Sequence, residues 1–306
     1  MKHLLCLSDW TKKDILDTLD LADKLKYEWK SGIRHDHLLQ GKTLGMIFTK
    51  SSTRTRVSFE VGMVQLGGYP LFLSSTDIQL GRGETVADTA MVLSRYLDGI
   101  MIRTFKQSDV EDLARYGSIP VINGLTDLQH PCQILADLQT IREHKKTLSG
   151  LKLAYVGDGN NVANSLLIGC AKVGMNIAVA VPAGFDCDSD SVAMAKEAAR
   201  ENGSTVMLTH SPVEAVKDAD VVYTDTWVSM GMESEKAQRV KQFAGFEVDA
   251  VLMSQAKPDA IFLHCLPAYR GYEVSAEVID GPQSVVFDEA ENRLHAQKAV
   301  LVRLMA

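Results

Sequence analysis

Short runs of apolar residues alternate along the chain with stretches in which apolar residues return at helical spacing. Residues 43–48 form one run of strand length, and residues 57–66 follow with the spacing of a helix. The same alternation of strand-like and helix-like stretches continues through residue 223. Within it, the apolar, Val-rich run at residues 151–157 is typical of a buried strand in a parallel sheet. The pattern therefore predicts an α/β fold with two doubly wound parallel-sheet domains.

A polar stretch at Lys145–Gly150 interrupts this pattern and is interpreted as a domain boundary. The chain has 306 residues, which suits two domains of about 150 residues that can each bury a core. We expect the first domain over residues 1–146 and the second over residues 147–287. Residues 284–287 are predicted as the last strand, followed by a C-terminal helix.

Composition narrows the classes of partner. The formal net charge of −7 does not suggest a nucleic-acid partner, so an anionic substrate would need local arginines. The five cysteines form no Cys-x-x-Cys pair, which fits reduced thiols in the cytoplasm. No apolar run is long enough to span a membrane, and the N-terminal residues do not match a signal peptide.

A predicted strand-to-helix turn at Thr49–Arg56 concentrates hydroxyl and guanidinium groups. The start of a helix also presents unpaired N–H groups and the positive end of the helix dipole. A simple N-cap with solvated arginines is the plainer alternative. Two arginines at one turn, with further anion-binding candidates downstream, favour a phosphate site that lacks the glycines of a P-loop. The donors are Ser52, Thr53, Arg54, Thr55 and Arg56.

Two further candidates lie at the carboxyl ends of predicted strands, where open α/β sheets bind ligands. Arg103 ends one strand, and its position is equally compatible with anion binding and with a surface ion pair. His130 lies at the next strand-to-helix turn, one helical turn before Gln133. A lone histidine is more often structural, but together with Arg103 these two side chains could bind a carbonyl and an amide.

The second half contains Gly157–Asn161, which matches only part of a dinucleotide fingerprint. No acidic residue ends the next strand, so a nicotinamide cofactor is not expected. Asp225 follows a later strand and can bind an ammonium group or cap a turn. His264 and Cys265 end another predicted strand, where neighbours point to opposite faces; this disfavours a thiolate–imidazole pair, and a buried inert cysteine is the default.

Four segments, in order and spread over the whole chain, resemble the aspartate/ornithine carbamoyltransferase family. They are Ser52–Arg56, His130–Gln133, Asp225–Gly231 and His264–Pro267. The last two look like those of its ornithine-specific members. The resemblance implies transfer of the carbamoyl group of carbamoyl phosphate to the δ-amine of L-ornithine. The products would be L-citrulline and phosphate, as in arginine biosynthesis or the urea cycle.

The resemblance also implies where each substrate binds. Residues 1–146 would bind carbamoyl phosphate, with the C-terminal helix (288–306) packing back on them, and residues 147–287 would bind ornithine; linking helices would join the two domains. The carbamoyl phosphate contacts would be Ser52, Thr53, Arg54, Thr55, Gln79, Arg103, His130, Gln133, Cys265, Leu266 and Arg293. The ornithine contacts would be Asn161, Asp225, Ser229 and Met230. Gln79 would act from a neighbouring subunit of a homotrimer, although its glycine-containing loop alone indicates only a surface connection.

These residue types suit the chemistry that the resemblance implies. The amine must be neutral to attack, and Asp225 and Cys265 can orient it and influence its deprotonation. Arg103 and His130, with Thr55 as a further candidate, would stabilise the negative charge that develops on the attacked carbonyl. The expected catalytic set is therefore Asp225, Cys265, Arg103 and His130, and no metal or organic cofactor is required.

Two alternatives stay open. The acceptor could be another amine, such as putrescine or an acylated ornithine, although Asp225 argues for a cationic amine and against aspartate. Arg82 is the only cation in the 79–84 loop, where the aspartate enzymes are expected to have a lysine. The chain could also be a catalytically silent small-molecule-binding α/β protein, which the intact set of arginines and Cys265 argues against.

Overall fold

The computed structural model of the chain describes residues 2–74, 78, 83–228 and 233–306. The chain divides into two compact units. Unit 1 comprises residues 1–139 and 291–306, and unit 2 comprises residues 140–290. Within the described ranges, every helix is too short or too polar to cross a membrane.

Unit 1 is built on a four-stranded parallel sheet with the spatial order β2–β1–β3–β4. A short 3-10 helix, Leu7–Asp9, precedes its first α-helix. The elements from there to the end of α5 are α1 Lys12–Lys30, β1 Thr43–Phe48, α2 Thr53–Gln65, β2 Tyr69–Ser74, α3 Val86–Leu93, β3 Gly99–Arg103, α4 Gln107–Tyr116, β4 Val121–Leu125 and α5 Pro131–Lys145.

Unit 2 is built on a five-stranded parallel sheet with the spatial order β7–β6–β5–β8–β9. A second 3-10 helix, Glu233–Glu235, precedes α9. The elements that follow α5 along the chain are β5 Lys152–Val156, α6 Asn161–Val173, β6 Asn176–Ala180, α7 Ser189–Asn202, β7 Val206–Thr209, α8 Pro212–Val216, β8 Val221–Tyr223, α9 Lys236–Gln242, α10 Ala250–Met253, β9 Ile261–Leu263, α11 Ala276–Ile279 and α12 Val286–Met305. Most of α12 belongs to unit 1. The division between the units falls within α5 and α12.

The carboxyl edge of the unit 1 sheet brings three turns together. β1 lies between β2 and β3, and Phe48 at the end of β1 pairs with Arg103 at the end of β3. The Thr49 N–H continues this pairing by donating to the Arg103 carbonyl at 2.9 Å. α2 begins just after β1, and α5 begins just after β4. Since parallel strands end at one edge, the side chains at both helix starts and at the end of β3 share that edge.

In unit 2 the corresponding edge is formed by β5, β8 and β9. Tyr155 pairs with Tyr223, which in turn pairs with Leu263, so these three strands end at the same level. The strand order reverses between β5 and β8, and open α/β sheets bind ligands at such a switch point. The turns that follow carry Asn160, Asp225 and Cys265.

The predicted fold class is confirmed, since both sheets are parallel and alternate with helices along the chain. The strand predicted at residues 284–287 is wrong. Ser284 forms one isolated bridge to Phe262, and α12 already begins at Val286. A short apolar run fits a strand or a helix equally well, and Asp288 and Glu289 in the first turn favour the helix.

Candidate active site

The turn between β1 and α2, which the sequence predicts as a phosphate site, is shaped by the N-cap of α2. Ser52 is the N-cap in extended conformation, and its Oγ accepts a hydrogen bond from the Thr55 backbone N–H at 3.2 Å. The first turn contains no acidic residue. The remaining N–H groups and the helix dipole therefore stay suited to an anion.

Thr55 is fully buried and forms the centre of a polar cluster in unit 1. Its Oγ1 accepts from one guanidinium N–H of Arg103 and from one of Arg293, each at 3.3 Å. Arg293 also donates to the Gln133 amide oxygen at 2.6 Å, and the Gln133 amide nitrogen donates to the Asp137 carboxylate at 2.8 Å. The structure thus brings together Thr55, Arg103, Gln133 and Arg293, four of the residues that the sequence singled out.

His130 lies in this same charged environment. It is buried, and burial together with the positive charges of Arg293, Arg103 and Arg54 lowers its pKa well below the ordinary value of 6.5. The imidazole is therefore neutral at physiological pH and can donate one hydrogen bond from its N–H. A neutral donor beside two buried guanidiniums is suited to a carbonyl oxygen that gains negative charge.

Arg56 contacts two side chains of unit 1. Its Nε donates to Glu60 Oε1 at 2.9 Å, one turn further along α2. Its guanidinium carbon also lies 3.7 Å from the ring centroid of Phe72. The side chain of Arg56 is therefore engaged by Glu60 and an aromatic face, and phosphate binding by the arginines of this turn stays a prediction.

The unit 2 cluster is centred on the carboxylate of Asp225, which is buried. One oxygen, Oδ1, accepts from the Cys265 thiol at 3.1 Å and from the Thr226 N–H at 2.8 Å. The other oxygen, Oδ2, accepts from the Asn160 side-chain amide at 2.8 Å. A buried anion held in this way, at the switch point of the sheet, is suited to an ammonium or amine group.

Sequence reasoning chose Asn161 as a ligand and missed Asn160. Asn161 is the half-buried first residue of α6, whereas Asn160 is its N-cap and accepts from Val162 N at 2.9 Å and Ala163 N at 3.2 Å. An asparagine at a helix start is a recognisable N-cap signal. The second contact of Asn160, its hydrogen bond to Asp225, has no sequence signal because the two residues are 65 positions apart.

The glycine turn before α6 has a packing reason. A Cβ atom at Gly159 would lie 2.3 Å from the carbonyl oxygen of Phe185. Only glycine allows the backbone to approach so closely, and the Gly159 N–H donates to that carbonyl at 3.0 Å. The partial dinucleotide fingerprint therefore marks a close backbone approach.

A buried ion pair borders the Asp225 cluster, and the sequence did not reveal it. Asp158 Oδ2 accepts from the guanidinium of Arg239 on α9, and Arg239 Nε donates to the Trp227 carbonyl at 2.5 Å. Burial raises the pKa of Asp158 to about 6, and the negative charge of Asp225 adds to the shift despite the opposing effect of Arg239. The pair connects α9 to the turn after β5.

His264 and Cys265 lie beyond the end of β9, so the strand argument that separated them does not apply. Ligand atoms of Asp225, His264 and Cys265 lie within 4.8 Å of one another. Both ring nitrogens of His264 are already engaged, Nδ1 by the Leu266 N–H at 2.9 Å and Nε2 by Glu273 Oε1 at 3.3 Å. The imidazole therefore offers no lone pair for a metal, nor a base for the thiol.

Three predicted ligands, Gln79, Ser229 and Met230, lie outside the described residues, as does Arg82. The other predicted ligands lie in or beside the polar cluster of unit 1 around Thr55 and the cluster of unit 2 around Asp225. Ser52, Thr53 and Arg54 lie at the start of α2, and Leu266 lies next to Cys265.

Comparison with known proteins matches two family models to consecutive parts of the chain. Residues 2–143 match the aspartate/ornithine carbamoyltransferase, carbamoyl-P binding domain, and residues 149–304 match the aspartate/ornithine carbamoyltransferase, Asp/Orn binding domain. The chain belongs to the aspartate/ornithine carbamoyltransferase family.

Individual members of this carbamoyltransferase family are similar to the chain over almost all of its length. The ornithine carbamoyltransferase of Caldicellulosiruptor saccharolyticus is 63% identical over 302 residues, which are 99% of this chain and 98% of that protein. The solved structure of ornithine carbamoyltransferase from Pyrococcus furiosus has a TM-score of 0.97 at 56% identity, covering 99% of this chain and 97% of that one. The anabolic enzyme of Campylobacter jejuni has a TM-score of 0.92 at 46% identity, covering 99% of each chain.

Proposed function

We propose that this carbamoyltransferase transfers the carbamoyl group of carbamoyl phosphate to the δ-amine of L-ornithine, giving L-citrulline and phosphate. The observation that carries the proposal is the unit 1 cluster, in which Arg103 and Arg293 converge on Thr55 beside a neutral His130. It matches a substrate with a phosphate dianion and a polarisable carbonyl. The relatives named ornithine carbamoyltransferase support the acceptor.

The proposed role of unit 1 is to bind carbamoyl phosphate. Arg54 and the hydroxyls and N–H groups of Ser52, Thr53 and Thr55 hold the phosphate at the start of α2. Arg103 and His130 donate to the carbonyl oxygen, and Gln133 binds the carbamoyl amide. Arg293 adds positive charge and fixes Gln133 through its 2.6 Å hydrogen bond. The phosphate then leaves as its negative charge is stabilised by Arg54 and the helix N-terminus.

The proposed role of unit 2 is to bind and orient ornithine. Asp225 attracts the cationic side chain, and Asn161, Ser229 and Met230 are assigned to the rest of the amino acid. After the ammonium proton is lost to solvent, the neutral amine nitrogen bonds to the carbamoyl carbon and the bond from that carbon to the phosphate oxygen breaks. The proton that the attacking nitrogen then releases is taken up by the departing phosphate, which leaves as hydrogen phosphate. The Cys265 thiol donates a hydrogen bond to Asp225, so we assign Cys265, with the Leu266 backbone, a polar contact to the reacting groups.

We also propose a homotrimer in which Gln79 of one subunit completes the site of its neighbour. Three exposed valines, Val57, Val61 and Val64, support self-association because they form one apolar face of α2 at positions i, i+4 and i+7. This is the helix that begins at the phosphate turn. A cytoplasmic location is proposed as well, which the five free thiols support.

The test is steady-state turnover of carbamoyl phosphate with ornithine, putrescine, aspartate and acetylornithine assayed side by side. Ureido product and phosphate are both measured. Citrulline formed from ornithine alone is the expected result. Preferential turnover with another amine would overturn the acceptor and retain the role of unit 1, and no turnover with any amine would favour the silent binding protein.

A further inference from the structure

A buried glutamate, Glu273, and a buried histidine, His264, form a chain of contacts that ends at Leu266. Glu273 Oε1 lies 3.3 Å from His264 Nε2, and both residues are at most 1% exposed. On the other ring nitrogen, His264 Nδ1 accepts from the Leu266 N–H at 2.9 Å. Neither Glu273 nor His264 is among the proposed substrate contacts.

This arrangement is compatible with one protonation state of the ring. Nδ1 must carry a lone pair to accept from Leu266, so the proton of the neutral imidazole is on Nε2, where the Glu273 carboxylate accepts it. The other tautomer, or an imidazolium, would place an N–H group against the Leu266 N–H. A carboxylate accepts only, so Glu273 selects the tautomer that Leu266 requires.

Leu266 needs this support because its backbone is in the left-handed region, with a φ of 57°. That conformation is unfavourable for a residue with a branched side chain and persists where surrounding contacts impose it. The backbone of the same segment is anchored once more, by the His264 N–H donating to the buried Glu289 at 2.8 Å. Cys265, between these two anchors, points its thiol at Asp225.

We propose that Glu273 and His264 are positioning residues for carbamoyl transfer, acting through the Cys265–Leu266 backbone. Glu273 fixes the His264 tautomer, His264 holds the Leu266 N–H, and Leu266 thereby keeps its carbonyl and the Cys265 thiol in place. The inference rests on the proposed function, which assigns Cys265 and Leu266 to the reacting groups.

A matched pair of substitutions separates positioning from packing. In His264→Asn the side-chain oxygen reaches the position of Nδ1 and can still accept from Leu266. In His264→Gln the polar atoms reach the position of Nε2 instead and leave the Leu266 N–H without this acceptor. We expect kcat of His264→Gln to fall at least about tenfold below that of His264→Asn, in the range seen when supporting contacts are lost.

The affinity for inorganic phosphate, measured by calorimetry, serves as the control, since the proposed phosphate ligands lie in unit 1. It should change by less than about threefold in both variants, within the scatter expected for a site left intact. Equal kcat values for the two variants, or a phosphate affinity that falls in parallel with kcat, would mean that His264 acts only in packing and would overturn the proposal.

A second experiment does not depend on turnover or on a His264 variant that folds. Nitrogen NMR of histidine-labelled protein should show His264 as the neutral Nε2–H tautomer. Glu273→Gln, whose amide can donate as well as accept, should show a mixture of the two tautomers. An Nδ1–H tautomer or imidazolium in the wild type, or an unchanged tautomer in Glu273→Gln, would overturn the inference. If the wild type makes no citrulline, the proposed function fails, while the NMR result still decides whether Glu273 determines the tautomer of His264.

Discussion

His130 carries out its proposed role as a neutral group, since burial and three nearby arginines keep its pKa well below 6.5. It therefore cannot deliver a positive charge to the substrate near neutral pH. The positive charge that stabilises the carbonyl oxygen must come from the arginines, and the imidazole contributes a directed hydrogen bond. Of the arginines near this imidazole, Arg103 and Arg293 are buried, and Arg54 is partly exposed at the start of α2.

Arg54→Ala should weaken carbamoyl phosphate binding by about 100-fold, because a charge-assisted contact to a dianion is lost. Isothermal calorimetry with carbamoyl phosphate measures the change. Arg56→Ala is the matched control, since Arg56 is paired with Glu60 and stacked on Phe72, and its affinity should stay within about twofold. Similar losses in both variants would contradict the assignment of the phosphate to Arg54.

Asp225→Asn should weaken the binding of ornithine far more than that of carbamoyl phosphate, because it removes the buried carboxylate charge that we propose attracts the amine. A loss of about 100-fold in kcat/KM for ornithine is expected, with a carbamoyl phosphate affinity changed less than about threefold. Initial rates over both substrates, together with calorimetry, separate the two effects. If both substrates are weakened equally, Asp225 is a structural residue.

At the scale of helices and strands, α12 shows how one element serves the core and the site together. It contributes Arg293 to the polar cluster and, further along, buries Lys298. The Lys298 ammonium donates to Gln65 of α2 at 2.9 Å and lies 4.7 Å from the ring centroid of Trp29 in α1. A cation inside the core is an unusual way to join three helices.

Lys298→Met should change how stability depends on pH. Burial lowers the pKa of Lys298 from 10.5 to about 8, so between these values the unfolded chain holds a proton that the folded chain has released. The free energy of unfolding contributed by this lysine therefore rises as the pH rises through that interval. Urea denaturation at several pH values should show the wild type gaining stability relative to Lys298→Met above about pH 8. Parallel pH profiles would contradict the lowered pKa.

The same scale explains what the sequence could and could not predict. The alternation of strands and helices was predictable because each kind of element has its own apolar period. The edge of each sheet where the polar clusters lie was predictable from the rule that ligands bind at the carboxyl ends of parallel strands. The start of α12 was missed because residues 284–287 fit either period. Long-range partners, such as Arg239 for Asp158 or Phe72 for Arg56, depend on which neighbours the fold supplies, and no spacing rule encodes them. Glu60 is different, because it lies four positions after Arg56 on α2, a spacing at which helical side chains meet.

For the whole molecule, the valine face of α2 links the proposed assembly to the proposed catalysis. Each of its three side chains leaves more than a third of its surface exposed, with 62% exposed for Val64. Burying this face between subunits would bring a neighbouring chain close to the helix that begins at the phosphate turn. Oligomer formation and carbamoyl phosphate binding should therefore be lost together.

Val61→Glu combined with Val64→Glu should convert the proposed trimer to smaller species and lower kcat/KM at least about tenfold, because charges cannot be buried in an apolar interface without a large cost. Light scattering coupled to size exclusion measures the mass, and the citrulline assay measures activity. Val251→Glu, at an exposed position of α10, is the control and should leave the mass unchanged. A double variant that keeps its mass would place the interface elsewhere.

Asn160 has a consequence for how acceptor specificity can change during evolution. The Asn160 amide oxygen caps the start of α6 and its amide nitrogen donates to Asp225, so one side chain serves folding and the proposed recognition of the amine. A substitution that re-aims the carboxylate toward a different amine would also remove the cap of a buried helix, at a cost of about 1 kcal/mol. Lineages that adopt new acceptors are therefore expected to preserve this asparagine and to diversify at other positions around the amine.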